Sequence, residues 1–94
     1  MPYIRQVCRP EFDDQISLLA LQLSKLNDEK DVTGSLNYII TSLIIKTLSY
    51  RYEEIKYWMI AMMTGVLINV KDEFYRRVAA SYEDKKIKEN GDVY

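Results

Sequence analysis

Apolar residues recur along the chain at the spacing of a helix, and the first such pattern follows Pro10. The members of this stripe are Phe12, Ile16, Leu19, Leu23 and Leu26. Steps of three and four residues place them on one helical face. Pro10 suits the first turn of a helix, where its missing amide hydrogen costs nothing. The pattern predicts a helix that begins at Pro10.

Residues 1–9 form a short arm before this helix. Tyr3, Ile4 and Val7 suit an extended segment. A proline disfavours helical geometry in the residue before it, which here is Arg9. We therefore expect the arm to be extended up to Pro10.

The second apolar pattern follows a polar break, NDEKDVTGS. Gly34 and Ser35 offer a helix start, and apolar residues then recur at helical spacing from Leu36 to Leu48. The β-branched residues in LNYIITSLII also permit a strand. The length of the repeat favours a helix.

The third pattern is the longest and runs from about Glu53 to about Ala80. Its members are Ile55, Met59, Met62, Val66, Val70, Phe74 and Val78. Such a helix is roughly 40 Å long, so part of its apolar surface extends past two shorter helices. We expect a homo-oligomer, with Met59, Met62, Val66 or neighbouring residues in the seam.

The pattern as a whole predicts an all-α fold of three helices with a long third helix, in one domain spanning residues 1–94. Residues 85–94 are expected to form a C-terminal turn segment, because Asn90-Gly91 lies between Ile87 and Val93. Asn-Gly is typical of tight turns and of β-hairpins. A hairpin here is a candidate to pair with the N-terminal arm.

Composition narrows the classes of function. The formal net charge of the chain is −1, which argues against binding to extended nucleic acid. Polar residues such as Thr41, Lys46 and Asn69 interrupt the apolar runs, so no membrane span is expected. Cys8 is the single cysteine, and a chain without an internal disulfide suits the cytoplasm.

The chain contains no histidine, which removes the commonest general base and the commonest metal ligand. We therefore expect a non-enzymatic protein without a metal site or cofactor. Glu53-Glu54 and Asp72-Glu73 are paired acids of the kind that hold magnesium in all-α nucleotide pyrophosphatases. They are separated by about five helical turns, which is too far for one metal ion to bind both pairs on the same helix. A metal-dependent nucleotide hydrolase is therefore only the third hypothesis.

The candidate binding residues lie near the C-terminus: Tyr75, Arg76, Arg77, Tyr82, Lys86 and Tyr94. A guanidinium binds a phosphate or carboxylate through a planar fork, and tyrosine rings stack on nucleobases. Arg76 and Arg77 also follow Asp72 and Glu73 by four residues, which is the spacing of structural ion pairs. The leading hypothesis is binding of a small anionic, nucleotide-like ligand; the alternative is a module that inhibits another protein.

Three segments carry a resemblance to a family. MPYI at the start, LNYIIT at residues 36–41, and EFYRRV followed by YEDKKIKENGDVY at the end resemble a family of small phage and bacterial proteins without an assigned activity. In relatives a proline is expected where this chain has Ser81, so the third helix is expected to run further here. The resemblance implies a phage-type setting, where inhibiting a host protein or sequestering a host-defence signalling nucleotide are typical tasks.

Overall fold

The computed structural model describes residues 3–94 and is 82% helical, with no strand among the described residues. A 3-10 turn (Gln6–Cys8) precedes α1 (Pro10–Ser24) and α2 (Glu29–Arg51). Then α3 (Tyr57–Phe74), a π-helical turn (Tyr75–Ala79) and α4 (Ala80–Asn90) follow one another without a break. They form one C-terminal helix of 34 residues. The predicted all-α fold with a long third helix is confirmed.

The chain divides into two compact units, which meet between residues 55 and 56 of the sequence. The first unit contains α1 and α2, and the second contains the C-terminal helix. The single domain expected for residues 1–94 stays a prediction.

The N-terminal arm differs from its prediction, because Arg9 is helical with φ −68° and ψ −37°. The amide of Cys8 donates to the Arg5 carbonyl at 2.9 Å, and the amide of Arg9 donates to the Gln6 carbonyl at 3.1 Å. These two bonds close a 3-10 turn that leads directly into α1. Local hydrogen bonding thus outweighs the steric preference for extended geometry before Pro10.

The second helix begins at Glu29 rather than at Gly34, so the predicted start was wrong by about a turn and a half. Asp28 caps this helix: its backbone is extended, and its carboxylate accepts a hydrogen bond from the Asp31 amide at 3.0 Å. An aspartate cap satisfies an amide that the first turn leaves without a partner. The polar break is therefore a capping segment, and the strand alternative for LNYIITSLII was wrong.

Very few side chains are buried in the chain. Among the described residues, the buried hydrophobic ones are Leu48, 5% exposed, and Met59, 4% exposed. A half-buried row on α2 comprises Val32, Ser35, Ile39, Ser42 and Ile44. Large apolar side chains such as Phe12, Ile16 and Ile68 are exposed. The described helices thus leave most of their apolar stripes uncovered by the chain itself.

The end of the C-terminal helix corrects the prediction for residues 85–94. The helix continues through Ser81 to Asn90, as the absence of a proline at position 81 implied. Gly91 then adopts a positive φ of 88°, and its amide donates to the Ile87 carbonyl at 2.8 Å. A β-hairpin at Asn90-Gly91 was wrong, because lysine and glutamate upstream favour helix and Gly91 is suited to a helix C-cap.

Candidate functional site

The π-helical turn carries three of the six predicted binding residues: Tyr75, Arg76 and Arg77. The Ala80 amide bonds to the Tyr75 carbonyl, five residues back, instead of to the carbonyl four residues back. A π-helical turn is rare and occurs frequently at functional sites. This turn was not predicted from the sequence, since the apolar repeat through Phe74 and Val78 fits an ordinary α-helix.

Both predicted arginines contact one carboxylate, that of Glu73. The Arg76 guanidinium holds it with two bonds, Nη2 to Oε1 at 2.6 Å and Nε to Oε2 at 3.3 Å. Arg77 is the looser neighbour, with Nε 4.0 Å from Oε1. Two positive groups around one negative group give a summed charge of +1, so the cluster keeps a positive excess suited to an anion.

The arginines cover Glu73, whose side chain is 18% exposed while that of Arg77 is 69% exposed. The hydrogen bond from Arg76 is the main cause that lowers the pKa of the Glu73 carboxyl below its ordinary value of 4.5. The positive charges of Arg76 and Arg77 lower this pKa further, while partial desolvation raises it. Glu73 is therefore ionised at neutral pH and competes with any external anion for the two arginines.

This lowered pKa gives a pH prediction. Because the carboxyl binds its proton less tightly in the folded chain, the contribution of Glu73 to stability is present above pH 4.5 and is lost as the pH falls through its lowered folded pKa. Between pH 7 and pH 3, the melting temperature of the native protein should fall further than that of Glu73→Gln. Parallel melting curves across this range would contradict the arrangement.

Tyr75 reaches over two helical turns to an acid in α4. Its hydroxyl donates to Glu83 Oε2 at 3.0 Å. This bond and the negative charge of Glu83 raise the pKa of the Tyr75 phenol above its ordinary value of 10.0. The bond links the π-helical turn to α4. A base that stacks on Tyr75 therefore meets a ring whose hydroxyl is already hydrogen-bonded to Glu83.

Tyr82 and Lys86 lie next to this link. The Lys86 ammonium is 5.6 Å from the centre of the Tyr82 ring, which is a cation–π distance. Lys86 Nζ also lies 3.1 Å from Glu89 Oε2. Both residues line a depression of about 430 Å³, together with Glu83, Ile87, Asn90 and Gly91. All of its lining belongs to α4 and its glycine cap, so the depression is open rather than enclosed.

Tyr94, the sixth predicted residue, lies beyond the helix end. Its amide donates to the Asp92 side chain at 2.9 Å, and its ring is fully exposed. The structure thus brings Arg76 and Arg77 together on Glu73, and it joins Tyr75 to Glu83 and Tyr82 to Lys86. No described contact joins Tyr94 to either group.

Within residues 3–94, no three histidine, cysteine or acidic residues come together as a set of metal ligands. No helix in the same range combines the length and apolar character that crossing a membrane requires.

Met59, predicted in an oligomer seam, is already buried, and its sulfur lies 3.5 Å from the Lys56 amide.

Comparison with known proteins identified a sequence family. Neither the curated proteins nor the solved structures contain a match to it. A family model described as a domain of unknown function, DUF6899, matches residues 1–93. The match is to an uncharacterised family and covers nearly the whole chain, so the chain belongs to the DUF6899 family.

Proposed function

We propose that this protein is a non-enzymatic protein-interaction module that works as a homo-oligomer. One observation carries the proposal: most large apolar side chains of all the helices are exposed, and only Leu48 and Met59 are buried among the described hydrophobic residues. Exposed apolar surface on this scale is typical of chains that fold together with a partner. A host protein is the partner class that the phage-type resemblance implies, and the cytoplasm is the expected compartment.

The geometry favours this order of the two binding hypotheses. A nucleotide at Arg76 and Arg77 has to displace Glu73, which Arg76 holds at 2.6 Å. If its base stacks on the face of Tyr82 that Lys86 covers, it also has to displace the Lys86 ammonium. A protein partner needs neither change, since the apolar side chains are already accessible.

Binding of a small anionic, nucleotide-like ligand is the second candidate. The observation that favours it is the positive excess at Glu73, where two guanidiniums lie within 4.0 Å of one carboxylate. The π-helical turn under these arginines supports the same candidate, because such turns frequently accompany binding sites.

Native mass spectrometry of the protein purified from its own host separates the candidates. The proposal expects a mass that is a multiple of 11.1 kDa, together with a second polypeptide in a fixed ratio. A retained species with the mass of a nucleotide and no second polypeptide would favour the anion candidate. A single 11.1 kDa chain without a second polypeptide or a nucleotide would contradict both candidates.

A further inference from the structure

The first part of the C-terminal helix, about four turns, has no charged residue. From Tyr57 to Val70, fourteen consecutive positions carry none. At 3.6 residues per turn these positions surround the helix axis completely. A helix that is apolar on all sides is found inside a core rather than at a surface, so this segment requires cover from more than one direction.

One side of this segment is partly covered within the chain. Met59 is buried and Met63, one turn later, is half-buried. On the opposite side the residues are exposed except Gly65, which is half-buried, and we name this side the Gly65 face. It comprises Tyr57, Trp58, Ala61, Thr64, Gly65 and Ile68. These residues fall within about 120° of the helix circumference, centred roughly opposite Met59.

The structure gives no reason within the chain for a glycine at position 65. A Cβ atom built there meets no other atom within 4 Å, although glycine lowers helix stability relative to alanine. A glycine in mid-helix usually has a packing reason. Small residues such as Ala61 and Gly65, one turn apart, let a second helix approach closely.

We propose that the Gly65 face is where a second copy of this chain docks, so that two C-terminal helices pack against each other about a two-fold axis. The lack of charge favours a copy of the same chain, because homodimer interfaces are more apolar than interfaces between separately folded partners. This step rests on the homo-oligomer in the proposed function and names its contact.

The available area meets the requirement of a stable dimer. Tyr57, Trp58 and Ile68 are each at least half exposed. With about 150–250 Å² for an aromatic side chain, the face offers roughly 500 Å² per copy. Two copies then bury about 1,000 Å², the lower bound for a specific interface. Bulky side chains flank the small residues of the face, with Tyr57 and Trp58 before Ala61 and Ile68 after Gly65. A two-fold contact places the same patch of both copies against each other, so the bulky residues of one copy can lie beside the small residues of the other.

The chain contains its own control for this proposal. Gly34 also lies inside a helix, α2, and a Cβ built on it likewise meets nothing within 4 Å. Gly34→Leu and Gly65→Leu therefore make the same chemical change at two helical positions where a Cβ has no neighbour within 4 Å, Gly34 being exposed and Gly65 half-buried. Sedimentation equilibrium of the full chain should show Gly65→Leu raising the dimer dissociation constant at least 100-fold. Gly34→Leu should leave it within threefold of the native value.

A second pair of variants guards against misfolding. Ile68→Glu places a charge on the Gly65 face, and Ile45→Glu places one on α2 at a site of similar exposure. Only Ile68→Glu should dissociate the dimer. The docking face would be overturned if the two members of each pair changed the dimer dissociation constant equally, or if Gly65→Leu dimerised normally. Neither result would contradict the proposed homo-oligomer. A native chain that is monomeric at every concentration would overturn the proposed homo-oligomer as well.

Discussion

Dilution is expected to unfold this protein. The C-terminal helix exposes most of its large apolar side chains in the single chain, and helices gain most of their stability from burying such side chains. If a second copy provides that cover, dissociation and unfolding are one process, and stability depends on protein concentration. For a dimer of this size, each tenfold dilution should lower the melting temperature by about 3–6 °C.

Far-UV circular dichroism across three decades of concentration measures this dependence. Loss of helix should coincide with loss of the dimer in sedimentation at the same concentrations. A lysozyme sample under the same conditions controls for adsorption and instrument drift. A helical monomer with a constant melting temperature would contradict the prediction, because the apolar stripes are then covered inside one chain.

The helical fold was predictable because its signals are local. The spacing of Phe12, Ile16 and Leu19 sets a helical face regardless of what covers it. Pro10 marked the start of α1 correctly. The predicted start of α2 at Gly34 and Ser35 was wrong, because the Asp28 carboxylate caps the helix earlier by accepting a bond from the Asp31 amide.

The site was less predictable because its geometry depends on a helical irregularity. The sequence identified Arg76 and Arg77 as a pair near acids. It did not predict the π-helical turn, which changes the register of every residue from Tyr75 to Ala80. It also did not predict that Tyr75 reaches Glu83, eight residues later, because helical sequence rules consider partners three or four residues away.

If the second candidate function is correct, Arg77 rather than Arg76 should dominate anion binding. Arg76 donates two hydrogen bonds to Glu73, whereas Arg77 Nε lies 4.0 Å from the same carboxylate. The looser guanidinium reorganises less to meet a phosphate, and a charge-assisted contact contributes about 1.5–3 kcal/mol. With ATP as the probe in isothermal titration, Arg77→Ala should weaken binding at least tenfold, and Arg76→Ala should weaken it less.

Lys71→Ala is the matched control, because it removes one positive charge from the same helix while Lys71 pairs with Asp72 at 3.2 Å. It should change ATP binding by less than threefold. Glu73→Gln should act in the opposite direction and strengthen binding, since it removes the carboxylate that competes for both arginines. Helicity and melting temperature should stay nearly constant in all four variants at neutral pH, because exposed ion pairs contribute only about 0.2–1 kcal/mol. An Arg77→Ala chain that unfolds would make the arginine structural. Normal ATP binding by all four variants would move the anion site away from the π-helical turn.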